Sequence, residues 1–183
     1  MIKPPLDVNA AARLSNGLRL RDIICVGLEA KHLVPESGVA DAALGWEMPP
    51  LQVFWELDDA GLKVIVPFTL FIEAHANGGN GDKKTRLAEI GVGLRLEYEV
   101  KKGESWSDED LPHYAGITSY LHAWPYFRAD VQLLSTKLGY PPLVLPVIVS
   151  GHPAKQVSVT RLSEVKTPPP LPRRPKPKKK ASK

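Results

Sequence analysis

The sequence predicts an α+β domain: a four-stranded antiparallel sheet followed by a kinked long helix packed on one face. Three observations predict it. Apolar residues alternate with period two through much of residues 17–100, as in strands with one buried face. From Tyr114 the period changes to the three-and-four spacing of an amphipathic helix. The strands all precede the helix, an order that segregates the two layers instead of alternating them.

Each element follows in turn. Gly17 to Ala30 reads as a strand with Leu18, Leu20, Ile24, Val26 and Leu28 on one face, interrupted by Asp22. Lys31 to Pro50 is a long connection carrying Pro, Gly and an exposed-looking Trp46, and connections of this length are usually functional or crossovers. Leu51 to Leu57 alternates Leu51, Val53, Trp55 and Leu57 against Gln52, Phe54 and Glu56. Asp58-Asp59-Ala60-Gly61 then turns the chain tightly into the next strand.

From Leu62 to Ala74 every even position is apolar, while the odd positions are mixed. Pro67 has no N–H to give to a ladder, so this strand should lie at an edge or carry a bulge. Arg86 to Val100 repeats the pattern, with Ala88, Ile90, Val92, Leu94, Leu96, Tyr98 and Val100 on one face. Asn77-Gly-Gly-Asn-Gly-Asp82 between the two is turn chemistry for a hairpin.

The helical stripe is Tyr114, Ile117, Leu121, Trp124, Phe127, Val131, Leu134 and Leu138. Ser107-Asp-Glu-Asp110 offers an N-cap with acids in the first turn. Pro125 is expected to break or kink the stripe into a shorter and a longer helix. Gly139 and Pro141-Pro142 stop it, and Leu143 to Val149 is extended and apolar. The organisation is therefore an N-terminal segment (1–16), a domain (17–153), a C-terminal extension (154–165) and a tail (166–183).

Composition narrows the classes. The chain has 183 residues, 43% hydrophobic and 24% charged, an ordinary globular mix. Apolar runs such as Val64 to Leu70 are far too short to span a bilayer, and Met1 to Pro5 has no apolar signal core. One cysteine, Cys25, excludes an intrachain disulfide and a multi-cysteine zinc site. These features fit a soluble protein of the bacterial cytosol or an equivalent reducing compartment.

The net charge of +4 hides a segregation. Residues 166–183 hold eight basic residues, six prolines and no acid. The remainder, 1–165, carries 16 basic and all 20 acidic residues, a net −4. The tail should be disordered with polyproline bias. It is either a solvated solubility tail, an SH3-type ligand, or a contact for nucleic acid or an acidic surface.

No catalytic pattern emerges, and neither a cofactor nor a metal is implied. The glycine-rich Asn77–Thr85 stretch lacks the spacing of a phosphate loop and lies between strands. His32, His75, His113, His122 and His152 include no pair at helical metal-site spacing. Cys25 has no neighbour that would activate it. Asp108, Glu109 and Asp110 look like capping charge, not a spaced acid–base pair. The reading is of a non-enzyme. What remains is apolar surface: Ile23, Phe54, Ile65 and Phe71 on the less regular strand faces, with Trp46 in the connection. A sheet covered on one face leaves its other face to an oligomer, a loop or a bound chain.

The segment Ala123 to Pro146 carries Trp124-Pro125-Tyr126-Phe127-Arg128 and Tyr140-Pro141-Pro142-Leu143-Val144-Leu145. It resembles the SecB chaperone family, which has an aromatic-Pro-Tyr-x-Arg helix start and an aromatic-Pro-Pro-Leu-x-Leu stretch after the helix. The order of four strands extends the resemblance over roughly 17–150. It implies an ATP-independent holdase, a homotetramer built as a dimer of dimers, that holds unfolded clients in apolar grooves for protein export or, in SecB-like relatives, protects an antitoxin in toxin–antitoxin systems. It would place Trp124, Phe127, Val131 and Leu134 in the core or at the oligomer interface, and Trp46, Phe54, Ile65 and Phe71 along the client grooves. A translocase ATPase would be met by acids such as Glu73, Glu89, Glu97 and Glu99. The Asn-Phe pair of the family's final helix is absent, the chain continuing with Val147-Ile-Val-Ser-Gly-His-Pro153 and a polar segment, and the basic tail is foreign to the family. The rivals are an adaptor that binds nucleic acid or an acidic protein through the tail, and a structural oligomer with every apolar face covered.

Overall fold

The computed structural model describes residues 5–34, 43–75, 84–101, 107–147 and 157–165. The Asn77–Asp82 turn, part of the long connection, the stretch after Val147 and the basic tail lie outside the described residues.

A short helix, α1 (Val8–Leu14), opens the fold. Asp7 caps it by accepting a hydrogen bond from the Asn9 amide at 2.8 Å. Five strands follow: β1 (Leu18–His32), β2 (Ala43–Glu47), β3 (Leu51–Asp58), β4 (Gly61–His75) and β5 (Lys84–Val100). Then come a 27-residue helix, α2 (Leu111–Lys137), and a last strand, β6 (Val157–Arg161), ending in a short 3-10 turn at Leu162–Glu164. The sheet order is β1-β5-β4-β3-β6, with β2 also paired to β4.

The α+β layering is as the periodicities predict, but the sheet is larger than four antiparallel strands. β2 is a five-residue strand inside the long connection, paired antiparallel to Phe71–His75. β6 comes from the expected C-terminal extension and pairs parallel to β3, so the sheet is mixed. The N-terminal segment also joins the domain: Leu6, Ala11 and Leu14 belong to the same apolar core as Val157 and Val159. Elements of five to seven residues hold too few periods to stand out in a sequence.

Pro67 falls where its missing N–H costs least. β3 borders β4 only as far as Ile65, and β2 only from Phe71. Between them β4 has no described neighbour on that side, which is a local edge within a central strand.

Helix α2 runs unbroken through Pro125, so the expected split does not occur. A mid-helix proline costs about 3 kcal/mol. The neighbouring Trp124 and Phe127 offset it by packing into the core, where the Phe127 ring stacks on Phe68 with centroids 4.3 Å apart. The helix start also differs from expectation. Asp110 precedes the helix without a side-chain cap bond, and its carboxylate instead takes the Arg13 guanidinium from α1. No acid lies in the first turn; Ser107 accepts from the Glu109 amide in the turn before it. The C-terminus follows the sequence: Gly139 sits at φ +82°, Tyr140 donates to the Ser135 carbonyl and Gly139 to that of Thr136. These are the paired bonds of a left-handed glycine stop.

The core lies between the sheet and one side of α2, which packs on β3, β4, β5 and β6. Gly116 lets α2 come close. A Cβ there would stand 2.7 Å from Val159 Cγ2 and also meet Leu6.

Candidate functional site

Directly opposed residues in an antiparallel ladder share a face of the sheet. That rule sorts the residues read as client-binding. Trp46 opposes Ile72, a core residue, so Trp46 emerges on the helix side, and it is 41% exposed. Phe54 opposes Ile65, and Phe71 lies on the same face six positions along the strand, so these three look out from the opposite, outer face. The four residues therefore do not line one groove. On the outer face Phe54 is only 6% exposed, flanked by Ile65 on β4 and Thr160 on β6. Ile65 and Phe71 are half-buried. The Arg86 guanidinium covers the Phe71 ring at 3.9 Å from its centroid, a cation–π contact.

Trp124, Phe127, Val131 and Leu134 are all buried within the single chain. The two halves of the aromatic-proline segment touch: the Trp124 indole N–H donates to the Pro146 carbonyl at 3.0 Å. The Leu143 amide donates to Ser135 Oγ at 3.0 Å, tying the same return segment to the helix. These residues thus fix how the chain folds back along α2. That is packing, not chemistry.

The helix side of the sheet extends past α2. Strand β1 carries register shifts between Leu20 and Asp22 and between Cys25 and Gly27. Each shift inserts one residue and reverses which parity faces inward. Leu18 and Leu20, then Ile23 and Cys25, then Leu28 and Ala30 therefore all face the helix side, opposite Val100, Tyr98, Leu96, Leu94, Val92 and Ile90. This corrects the expected face, which held Ile24 and Val26 in place of Ile23 and Cys25. Because β1 is at the rim, beyond α2, Leu28 stays 44% exposed and Cys25 is exposed. Leu44, opposite Ala74 on the same side, is exposed beside Trp46. Sequence reasoning missed Leu28 and Leu44 as surface groups. The i, i+2 spacing of Leu44 and Trp46 was the signal available for the second.

The outer face is charged but internally balanced. Lys31 pairs with Glu89 at 3.1 Å, and Arg95 with Glu97 at 3.1 Å. Hydrogen bonding to Glu89 raises the Lys31 ammonium above its ordinary value. Glu73 is 2% exposed, with Lys84 at 3.7 Å and Arg86 at 3.8 Å. The expected acidic surface of Glu73, Glu89, Glu97 and Glu99 is therefore mostly matched by neighbouring cations. On the helix side, Tyr98 Oη donates to Ser119 Oγ at 3.0 Å and lies 3.1 Å from His122 Nδ1. Burial pushes the Tyr98 phenol well up and the His122 imidazole down.

Among the described residues, no three His, Cys, Asp or Glu side chains are grouped to hold a metal ion. No described helix is long and apolar enough to cross a membrane. The arrangement thus leaves apolar groups exposed at the rims on the helix side and paired charge on the outer face.

No protein-family model matches the chain, and no curated protein matches it. Among solved structures, it is similar to a SecB-like chaperone of Mycobacterium tuberculosis solved in complex with a ChAD peptide from the HigA1 antitoxin. The TM-score is 0.57 at 22% identity, over 76% of this chain and 97% of that one. The chain has the SecB-like fold.

Proposed function

We propose that this SecB-like fold serves as an ATP-independent holdase, which binds extended apolar segments of non-native polypeptides and performs no catalysis. One observation carries the reading: a fold shared with a peptide-bound chaperone leaves apolar side chains exposed along its rim strands, at Leu28 on β1 and at Leu44 and Trp46 on β2. Burying such groups against a client yields ~25 cal/mol per Å² of apolar area. Rim strands also offer backbone to an extended client, as in β-strand addition. Trp46 is the strongest anchor, and Ile65 and Phe71 form a second, outer contact. A client that reaches both faces must wrap around a rim, which raises affinity through multivalency. The client of the structural neighbour, an antitoxin segment, makes antitoxin protection the favoured role over export. A cytoplasmic homotetramer is the expected working form.

The test is light scattering from a denatured, aggregation-prone client with the full chain and no nucleotide. Suppression at near-stoichiometric amounts supports the reading. Trp46→Ala should weaken suppression several-fold without changing the melting temperature. A folded protein that suppresses nothing overturns it.

A further inference from the structure

Trp46 is the strongest anchor of the proposed client contact, yet β2, the strand that carries it, has few ties of its own. It has five residues, none of them buried, and it pairs with β4 alone. Such a strand belongs to the low-stability end of a fold. We propose that Arg86 is a positioning residue for the Trp46 contact: its guanidinium clasps β2 to the sheet from the outer face and so fixes Trp46 on the helix side. Its purpose rests on the holdase reading; its geometry does not.

Successive residues of a strand face opposite ways. Trp46 opposes Ile72 and faces the helix side, so Glu47, which opposes Phe71, faces outward. There Arg86 Nη2 meets Glu47 Oε2 at 3.2 Å. The same guanidinium lies 3.9 Å from the centroid of the Phe71 ring, and its Nε is 3.8 Å from Glu73 Oε1. One side chain of β5 therefore reaches both β4 and β2. A register shift aims it: Leu87 is an extra residue between the pairs Ile72↔Ala88 and Glu73↔Arg86, which sets Arg86 and not Leu87 opposite Glu73.

Charge makes the clasp necessary. Glu73 is 2% exposed, and its Oε2 has no hydrogen-bond partner among the described residues, with Lys84 Nζ at 3.7 Å. Glu47 lies against it: contact with Glu73 and pairing with Arg86 hold the Glu47 carboxyl below its ordinary range. Two adjoining carboxylates repel unless a cation joins them. Among the described residues Arg86 alone forms ion pairs with both. Glu89, the other acid opposite Phe71, is taken by Lys31. Removing Arg86 thus unties Glu47 and also leaves it facing a buried, poorly compensated carboxylate.

The experiment follows amide hydrogen exchange of the full chain by NMR, then its affinity for reduced, carboxymethylated α-lactalbumin, a permanently unfolded client. Arg86→Gln should speed exchange across Ala43–Glu47 by about five-fold or more, leave Val64–Leu70 of β4 unchanged and weaken client binding several-fold. Adding Glu47→Gln removes one of the facing carboxylates and should restore most of the protection, a rescue that a packing role over Phe71 would not give. In a Trp46→Ala background, Arg86→Gln should cost no further affinity. A β2 indifferent to Arg86→Gln, a failed rescue, or an affinity loss that persists without Trp46 overturns the proposal. Should Arg86→Gln not fold, Arg86→Lys keeps a charge beside Glu73 but loses the fork that bridges both acids, and a β2 no looser than in the natural chain then overturns it. A natural chain that binds no client, while Arg86→Gln still frees β2, counts against the holdase reading and for the clasp.

Discussion

Strands β1 and β4 are each fifteen residues long and both alternate apolar with other residues, yet they end in opposite environments. In β4 every even position from Leu62 to Ala74 is buried. In β1 only Leu18 and Gly27 are. The difference lies in position and register as well as in charge: β1 carries Arg19, Arg21, Asp22, Glu29 and Lys31, β4 only Lys63 and Glu73. β4 is central and flanked by β5 and by β3 or β2. β1 is at the rim, and two register shifts keep its apolar groups on the helix side, although α2 packs elsewhere. A central strand uses its apolar face to hold the fold together. A rim strand leaves part of the corresponding face in water, at Cys25 and Leu28.

The comparison can be broken most severely at Phe68. It is buried and stacked on Phe127. Phe68→Ala should cost about 4 kcal/mol of stability in urea unfolding, the range for emptying a packed aromatic site.

Next comes pH. His122 on α2 sits over Tyr98 of β5, and burial lowers its folded pKa below 6.5. The unfolded chain then binds the proton more readily than the folded one. The contribution is intact above about pH 6.5 and declines as the pH falls from there towards the folded pKa. Melting temperatures at pH 7.5 and 5 should therefore diverge more for the natural protein than for His122→Gln.

Leu28→Ala should cost less than about 1 kcal/mol, since nearly half of the side chain is already in water. A loss as large as that of Phe68→Ala would show that β1 is buried by a partner in solution, and would turn the rim into an interface. The smallest effect is kinetic. Cys25 should react with a thiol reagent in the native protein without denaturant, and bound client should slow the reaction.

These two strands also measure how far the sequence could be read. β4, β5 and the α2 stripe are legible because their periods run for thirteen or more residues without a slip. The faces of β1 are not, because a bulge changes parity without a residue type of its own; Asp22, interrupting the alternation, is the single trace of the first. The same limit governs the site. Trp46, Phe54, Ile65 and Phe71 are identifiable as large groups off the regular faces, but only strand register shows that Trp46 belongs to the other side from the rest. Pro125 failed as a breaker because the aromatic packing around it outweighs a local penalty, which no window of sequence contains. The Trp124–Leu145 resemblance was readable for the reason that makes it uninformative about clients: it encodes the return of the chain along the helix.

The pairing of β6 with β3 sets an order on biosynthesis. Gln52 Nε2 donates to Thr160 Oγ1 across 108 residues of sequence, so the outer border of β3 stays open while most of the protein is still being translated. Contacts so distant in sequence form late, and domains emerging from the ribosome expose unpaired edges until they close. A nascent chain of this fold therefore passes through a stage in which the border of β3 is unpaired, and that stage ends only when the last strand has been made.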